Sequence, residues 1–214
     1  MVKILGIDEA GRGPVIGPMV MAGVMIEKGD ENLIEGSVDS KLLTHPKRIE
    51  LDKKIRANTD FKVIVIGPKE IDEALLSDKL NLNWLEAHKQ AEIINKLQPD
   101  KAIIDCPSIN CEAYEKYLSE LIENKEIELV VEHKADVNYL TAAAASILAK
   151  VERENQMEKI KQKYGDTGPG YPANKTTQDF VKNNWDKCPE IFRKTWSTYK
   201  RFARIEGQKA LGEF

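Results

Sequence analysis

Acidic side chains stand at the ends of three predicted strands. Asp8 and Glu9 close the first strand, Asp105 closes a later one, and Asp136 follows another. In a mixed α/β sheet, ligands gather at the carboxyl ends of strands, and converging carboxylates repel one another unless cations bind between them. Oxygen ligands without a His or Cys cluster favour Mg²⁺ or Mn²⁺ over zinc. Two such ions, about 4 Å apart, can stabilise the attacking and leaving oxygens of a phosphodiester displacement.

Each carboxylate also has a plainer interpretation. Asp136 fits equally well as the N-cap of the helix that follows it, and Asp105 could start the next turn. Strand alternation sends Asp8 and Glu9 to opposite faces, so both reach one site only if the chain turns immediately after Asp8. Taken together, the carboxylates at the ends of three predicted strands favour a shared metal site.

The segment that follows Glu9 could serve a different function. Its spacing, Gly-x-Gly-x-x-x-Gly from Gly11, resembles a dinucleotide-binding turn and would suggest an oxidoreductase. That interpretation needs a helix whose N-terminus holds the pyrophosphate. Pro14 and Pro18 break the first turns of such a helix, and the next run is β-branched without helical periodicity. A sharp reversal between two strands is therefore predicted, with glycines that let the backbone approach a ligand closely.

Short strands and helices must position these residues. Strands are predicted over 2–7, 19–26, 61–66, 101–105 and 128–132. Helices are predicted over 46–57 (capped by Thr44), from near 69, over 83–97, 112–123 and 137–164, and around 177–185 and 196–205. Three strands followed by strands separated by helices predict a mixed sheet flanked by helices, with a helical C-terminal extension.

The composition indicates a globular protein. The 214 residues are 42% hydrophobic and 31% charged, with no run of transmembrane length and no signal-peptide pattern, so a cytoplasmic protein without a membrane partner is predicted. Three cysteines without paired CxxC spacing predict reduced thiols rather than a zinc site or disulfides. His133 is not expected to bind a metal, since no partner His stands at helical or hairpin spacing.

The net charge of −3 hides an asymmetry. Residues 1–133 carry 17 Lys and Arg against 25 Asp and Glu, whereas residues 134–214 carry 15 against 10. A basic lobe is compatible with gripping a polyanion; a solvated helix surface is an equally open interpretation. The basic residues concentrated near the C-terminus are Arg193, Lys194, Lys200, Arg201, Arg204 and Lys209.

Several long motifs resemble those of type 2 ribonuclease H (ribonuclease HII), most closely the archaeal members. The resemblance covers essentially the whole chain. The motifs occur in the expected order: 8–18, Asp39-Ser40-Lys41, Ile104-Asp105, 132–136, 144–147, 149–151, Gly170-Tyr171-Pro172 and 193–196.

The resemblance implies a ribonuclease H-like fold with a five-stranded mixed sheet. Residues 1–172 would form the catalytic domain, and residues 173–214 a small helical region packed on it. It further implies cleavage of RNA in RNA/DNA hybrids and incision 5′ of ribonucleotides embedded in duplex DNA, in repair and replication, leaving 3′-hydroxyl and 5′-phosphate ends. A single chain would suffice, as a monomer; contact with a sliding clamp stays open.

Residue roles follow from the motif positions. Asp8, Glu9, Asp105 and Asp136 would hold two Mg²⁺ or Mn²⁺ ions, one activating the attacking water and the other stabilising the leaving 3′ oxygen. Gly11-Arg12-Gly13 would recognise the ribonucleotide's 2′-hydroxyl, mainly through backbone groups, since this hydroxyl distinguishes RNA from DNA.

The resemblance also assigns residues outside the catalytic motif. Tyr171 would stack on the sugar of the following deoxynucleotide and so sense the RNA-to-DNA junction. Contacts to backbone phosphates are expected from three lysines, Lys41, Lys134 and Lys150.

Two positions depart from the family pattern. Pro169 stands where many relatives have Ser, and Leu140 stands where Pro is usual after Tyr139. The first is expected to stiffen the loop that places Tyr171. A function of another class, a module that grips hybrids without cutting, would show no cleavage with any divalent ion.

Overall fold

The computed structural model describes residues 1–37 and 43–211, with the side chains of 205–211 excepted. Lys41, predicted to contact phosphate, and the rest of the Asp39-Ser40-Lys41 motif lie outside the described residues.

Five strands form one mixed sheet in the described part of the chain. They are β1 (Lys3–Ala10), β2 (Met19–Glu27), β3 (Asp60–Ile66), β4 (Lys101–Asp105) and β5 (Glu128–Glu132), in the order β3-β2-β1-β4-β5. Strand β1 is antiparallel to β2 and parallel to β4, and β4 is parallel to β5. The predicted mixed sheet is confirmed.

Helices flank the sheet close to their predicted positions. They are α1 (His45–Asn58), α2 (Pro68–Leu76), α3 (Leu82–Leu97), α4 (Cys111–Leu121), α5 (Ala135–Asn138), α6 (Leu140–Tyr164), α7 (Lys175–Asn184) and α8 (Ser197–Leu211). Short 3₁₀ turns span Glu31–Ile34 and Pro189–Ile191. Thr44 is the N-cap residue of α1, but its side chain makes no capping hydrogen bond.

The reversal after β1 is confirmed, and the dinucleotide-binding alternative is wrong. That alternative needs a helix after β1, whereas the next element is β2, which pairs antiparallel with β1 through Ala10 and Val20.

The prediction of one helix over 137–164 is wrong. The chain instead forms a short helix, α5, that begins at Ala135 and ends at Asn138. Tyr139 then adopts an extended conformation (φ −131°, ψ 128°), and α6 begins at Leu140. Lys134, in the left-handed region at φ 61°, is the N-cap residue of α5. Asp136 therefore lies within the first turn of α5 and is not an N-cap.

The chain folds into two compact units. The first comprises Met1–Ala10, Val20–Val65 and Leu82–Glu152. Alternate residues of its β2 face opposite sides: Met21 and Met25 belong to the apolar cluster that includes α3 and α4, whereas Val20 and Val24 belong to the cluster that includes α1 and α6. Successive side chains of a strand point to opposite faces, so β2 is buried on both faces of the sheet.

The second unit comprises Gly11–Met19, Ile66–Asn81 and Arg153–Phe214. Its apolar core contains Val15, Ile16, Phe180, Phe192 and Tyr199. The predicted C-terminal region, 173–214, lies entirely within this unit, and the predicted domain boundary at residue 172 stays a prediction. Among the described residues, no helix combines the length and apolar character that crossing a bilayer requires.

Candidate active site

Two of the predicted carboxylates occupy equivalent positions on neighbouring parallel strands. Ile7 of β1 pairs with Ile104 of β4, and Asp8 and Asp105 are the next residues of the two strands. Side chains at equivalent positions of adjacent strands point to the same face of a sheet. Asp8 and Asp105 therefore meet on one face at the carboxyl ends of these strands.

The turn after β5 adds the third carboxylate. Asp105 pairs with Glu132 at the end of β5, and the left-handed Lys134 redirects the chain into α5. The backbone N–H of Ala135 then donates to Asp105 Oδ1 at 3.3 Å. Asp136, in the first turn of α5, is consequently held beside the end of β4.

Asp8, Asp105 and Asp136 each place a carboxylate oxygen within 4.8 Å of the others'. Asp8 and Asp136 are buried, at 6% and 7% exposure, and Asp105 is half-buried. Oxygens that share an octahedral Mg²⁺ ion at about 2.1 Å lie about 3 to 4 Å apart. This donor set, all oxygen and all anionic, fits Mg²⁺ or Mn²⁺ with small adjustments.

Helix α6 brings a hydroxyl to Asp8. A Cβ on Gly6 would lie 2.2 Å from the backbone of Ala142, so α6 packs directly on β1 at this point. Two strand residues advance about 6.6 Å and four helical residues about 6 Å. Asp8 is two residues after Gly6, and Ser146 is four residues after Ala142, so the two side chains meet. They form a hydrogen bond.

Lys150 extends this network. Its Nζ donates to Ser146 Oγ at 2.7 Å, one helical turn back along α6. Lys150 is therefore linked to Asp8 through one buried hydroxyl. Sequence reasoning placed Lys150 beside the site but did not single out Ser146; a serine within a run of alanines on a buried helix was the available signal.

Burial dominates the electrostatics of Asp8. Desolvation is the largest effect on its carboxyl and, together with the negative charges of Asp105 and Asp136, raises the pKa to about 6. The hydrogen bonds from Ser146 and from the Glu9 backbone N–H, the latter at 2.7 Å, oppose this rise. A carboxyl whose pKa is raised by burial and by like charges is one that gains from a bound cation.

Glu9 is not one of the three carboxylates in this group. The turn immediately after Asp8, which would bring both side chains to one site, does not occur, because β1 stays paired with β2 through Ala10. Glu9 pairs with Met21 and is half-buried, and by alternation it starts on the opposite face from Asp8. Its role as a ligand stays a prediction.

In the second unit, a buried arginine holds the Gly11-Arg12-Gly13 segment. Arg193 is fully buried and donates to the carbonyl oxygens of Gly11 at 2.6 Å, Arg12 at 2.8 Å and Gly17 at 3.0 Å. Trp196 lies 4.9 Å below the guanidinium and donates from Nε1 to the Gly13 carbonyl oxygen at 3.0 Å. Three successive carbonyls thus point toward these two side chains.

The opposite edge of this segment carries its N–H groups. A trans peptide directs a carbonyl and the following N–H in opposite directions, and the described chain has no cis peptide bonds. The N–H groups of Arg12 and Gly13 therefore point away from Arg193.

Tyr171 projects from a braced loop of the same unit. Its ring is 44% exposed, and the buried Arg153 places its guanidinium 5.3 Å from the ring centroid. Arg153 also donates from Nη2 to the Pro169 carbonyl oxygen at 3.1 Å. The Gly170 carbonyl oxygen accepts from the Val15 N–H at 2.8 Å. Arg153 was not foreseen from the sequence, since nothing local distinguishes it from the other charged residues of α6.

The basic residues near the C-terminus do not act alike. Arg193, counted with the polyanion-gripping residues in the sequence, is directed at backbone carbonyls and fully buried, so that assignment is wrong for this residue. Lys194, Lys200, Arg201 and Arg204 are exposed. Lys134 is also exposed, at the N-cap of α5.

Comparison with known proteins supports this picture. A family model for ribonuclease HII matches residues 5–199. Ribonuclease HII of Methanosphaera stadtmanae is 41% identical over 207 residues, covering 94% of this chain and 95% of that protein. The crystal structure of ribonuclease H2 from Pyrococcus horikoshii OT3 matches with a TM-score of 0.87 at 35% identity, covering 95% of this chain and 98% of that one.

A second archaeal structure is similar. It is the PCNA:RNase HII complex from Archaeoglobus fulgidus, matched with a TM-score of 0.83 at 37% identity over 92% of this chain and 96% of that one. The fold and the carboxylate group place the chain among the metal-dependent nucleases with a ribonuclease H-like fold. More narrowly, it belongs to the ribonuclease HII family, whose activity is hydrolysis of the RNA strand in RNA/DNA hybrids.

Proposed function

We propose that the chain cleaves the RNA strand of RNA/DNA hybrids endonucleolytically and also incises 5′ of single ribonucleotides embedded in duplex DNA, leaving 3′-hydroxyl and 5′-phosphate ends. The observation that carries the proposal is the convergence of Asp8, Asp105 and Asp136 oxygens within 4.8 Å. Three buried or half-buried carboxylates are costly together unless divalent cations neutralise them.

Two Mg²⁺ or Mn²⁺ ions would be held by Asp8, Asp105 and Asp136, with Glu9 as the fourth ligand. When bound, they supply an activated water and charge stabilisation for the leaving 3′ oxygen. The protein's own groups orient the ligands. Ser146 holds the Asp8 carboxylate from one side, and the Ala135 N–H holds Asp105. Such outer contacts set ligand orientation and metal affinity.

The Gly11-Arg12-Gly13 segment would recognise the 2′-hydroxyl. Its carbonyls are engaged by Arg193 and Trp196, so its N–H edge is presented in a fixed orientation. A hydroxyl can accept a hydrogen bond from a backbone N–H, and a deoxyribose has no such acceptor at this position.

Tyr171 would stack on the sugar of the deoxynucleotide that follows the ribonucleotide. Its half-exposed ring, backed by the Arg153 guanidinium at 5.3 Å, is held ready for a stacking contact. Lys41, Lys134 and Lys150 would contact phosphates. Exposure supports this role for Lys134, and Lys150 would be steered by Ser146.

We further propose a monomer that contacts a sliding clamp. A PCNA:RNase HII complex is known for the Archaeoglobus fulgidus protein, which is 37% identical to this chain. Gel filtration of this chain with and without the clamp of its own organism tests both statements: the chain alone should elute as a monomer and should co-elute with the clamp.

The catalytic proposal is tested with two labelled substrates, a uniform RNA/DNA hybrid and a DNA duplex with one ribonucleotide. Cleavage is measured across Mg²⁺ and Mn²⁺ concentrations and in excess EDTA, and the product ends are mapped. Asp8→Asn serves as the matched variant, because it removes one charge and preserves shape. We expect Asp8→Asn to bind both duplexes but to lose turnover.

Each alternative gives a different result. Duplex binding without cleavage at any divalent concentration indicates a binding module. Cleavage that survives excess EDTA, or a wild-type rate in Asp8→Asn, contradicts the metal-dependent mechanism. Products with 5′-hydroxyl ends contradict the proposed displacement of the 3′ oxygen.

A further inference from the structure

A second cluster of potential metal ligands lies in the first unit, separate in composition from the carboxylates. Among the described residues, Cys106, Cys111 and His133 each place one ligand atom within 4.8 Å of the others'. Cys106 follows β4, Cys111 is the first residue of α4, and His133 follows β5. The fold therefore brings His133 beside Cys111 and Cys106, which stand 22 and 27 positions earlier in the chain.

The orientation of His133 suits a metal ligand. Its Nδ1 lies 3.3 Å from the Cys106 carbonyl oxygen. A carbonyl oxygen only accepts hydrogen bonds, so Nδ1 carries a proton and the neutral ring keeps its lone pair on Nε2. That Nε2 lies 3.4 Å from Cys111 Sγ. Zinc-bound histidines typically have this arrangement, with one ring nitrogen on a carbonyl or carboxylate and the other on the metal.

The distances match a tetrahedral site. With Zn–S near 2.3 Å and Zn–N near 2.0 Å, the sulfur and nitrogen of two ligands lie about 3.5 Å apart. The observed Cys111 Sγ to His133 Nε2 distance of 3.4 Å is close to that edge. Cys106 Sγ lies within 4.8 Å of the other two ligand atoms, so an inward shift of at most about 1.3 Å would complete the set.

The two thiols lie in different surroundings. Cys111 is half-buried and is the first residue of the 11-residue α4. Cys106 is buried and donates from Sγ to the Ser108 carbonyl oxygen at 3.3 Å. Burial raises the pKa of the Cys106 thiol, so a bound cation has to displace its proton. His133 is exposed, so one side of the cluster faces solvent.

We propose that Cys106, Cys111 and His133 bind one Zn²⁺ ion, with a solvent molecule in the fourth position. Two sulfurs and one imidazole select a borderline-soft cation, whereas the carboxylate group selects Mg²⁺ or Mn²⁺. The ligand chemistry keeps the two sites distinct although they are neighbours in sequence. Asp105 precedes Cys106 by one residue, and Asp136 follows His133 by three.

Binding would join the carboxyl ends of β4 and β5 to the start of α4. Asp105 is the last residue of β4, and Asp136 lies in α5, shortly after β5. A bound Zn²⁺ ion is accordingly expected to raise the thermal stability of the protein.

The test uses the full chain, reduced, stripped with chelator and kept in excess Mg²⁺, with Co²⁺ as a spectroscopic substitute for Zn²⁺. We expect one equivalent of Co²⁺ to give thiolate-to-cobalt charge-transfer absorption in the near ultraviolet, and Zn²⁺ to displace it. Cys111→Ser and His133→Gln, at half-buried and exposed positions, should lower Co²⁺ affinity by about 100-fold or more.

Two controls separate this site from other thiols and from the carboxylates. Cys188→Ser, which alters a buried thiol of the second unit, should retain the absorption. Asp8→Asn should also retain it, and this result does not depend on nuclease activity. Co²⁺ binding without thiolate absorption, absorption that survives Cys111→Ser, or a Cys106–Cys111 disulfide in protein kept in reducing buffer would each overturn the proposal.

Discussion

Arg193 Nη2 donates a hydrogen bond of 2.6 Å to the carbonyl oxygen of Gly11, 182 positions earlier in the chain. The same guanidinium also binds the carbonyls of Arg12 and Gly17. A planar fork with several donors is suited to carbonyls that converge from different directions. The C-terminal region of the second unit thereby sets the geometry of the loop proposed to recognise RNA.

Arg193→Lys tests this relationship. A lysine ammonium cannot reach three diverging carbonyls, so at least two hydrogen bonds from a charged donor are lost in a buried site. We expect the free energy of unfolding to fall by about 3 kcal/mol or more, measured by chemical denaturation. Well below the unfolding temperature, cleavage beside an embedded ribonucleotide should also slow.

Lys200→Ala is the matched control, since Lys200 is an exposed basic residue of α8. Its effect on unfolding should stay within about 0.5 kcal/mol. If Arg193→Lys lowers the free energy of unfolding but cleaves at the wild-type rate, Arg193 stabilises the fold and does not position the recognition loop.

The sequence predicted the sheet and the acidic strand ends because both are local signals. Strands β4 and β5 have their predicted bounds, and Asp8, Asp105 and Asp136 converge as expected. Long-range partners carried no such signal. The direction of the Arg193 side chain depends on how the chain folds back, and charge alone left open a polyanion-binding surface or a solvated one.

The break in the predicted long helix has a similar origin. Periodicity over 137–164 continues smoothly, but the left-handed Lys134 starts α5 early and Tyr139 is extended. A lysine at φ 61° has no distinctive local sequence pattern. The cluster of Cys106, Cys111 and His133 was likewise missed, because its spacing matches no short metal motif.

Two glycines of the recognition loop should respond differently to alanine. A Cβ on Gly13 meets no described atom within 4 Å, whereas a Cβ on Gly11, at φ +81°, would lie 2.1 Å from Arg153 Nε. Gly13→Ala should therefore leave the free energy of unfolding within about 0.5 kcal/mol. Gly11→Ala should lower it by at least about 1 kcal/mol.

The cleavage rate of Gly13→Ala shows whether Gly13 is needed for substrate binding and not only for folding. If the backbone there approaches a ribose closely, the added methyl should slow cleavage beside a ribonucleotide by about tenfold or more, although the protein stays folded. Rates at or near wild type in Gly13→Ala would mean that the substrate does not approach this backbone.

Metal binding should stabilise the protein increasingly as pH rises. Asp8 has its pKa raised from 3.8 to about 6 in the folded, metal-free protein. It therefore contributes stability below about pH 4, and this contribution, about 3 kcal/mol at most, is lost as pH rises through 6. A cation replaces the proton and removes the penalty of the buried charge.

Thermal unfolding of EDTA-treated protein, with and without Mn²⁺, measures this effect. We expect the Mn²⁺-dependent rise in Tm to be larger at pH 7.5 than at pH 5. Asp8→Asn should flatten the pH dependence of the metal-free Tm between pH 4 and 7. An Mn²⁺ effect that is independent of pH in the wild type would contradict the coupling between proton and cation at Asp8.

Ser146→Ala should weaken catalysis through the metal requirement. The hydroxyl binds the Asp8 carboxylate and accepts from Lys150 Nζ at 2.7 Å, so its loss removes one hydrogen bond from each of these side chains. We expect the Mg²⁺ concentration for half-maximal cleavage to rise about tenfold or more, with much of the rate recovered at saturating Mg²⁺. Ser119→Ala, which removes a half-buried helical serine of α4, should leave the Mg²⁺ dependence unchanged; an equal shift in both variants would exclude Ser146 from the site.

Tyr171→Ala should impair cleavage at an RNA-to-DNA junction more than cleavage of a uniform hybrid. Only the junction substrate offers a deoxyribose at the position where the ring is proposed to stack. Removing a base–aromatic stack costs about 1–3 kcal/mol, and stacking on a sugar is expected near or below the low end, roughly fivefold in rate. Tyr171→Phe keeps the ring above Arg153 and should retain the preference. Equal losses on the two substrates in Tyr171→Ala would show that the tyrosine supports binding in general and does not sense the junction.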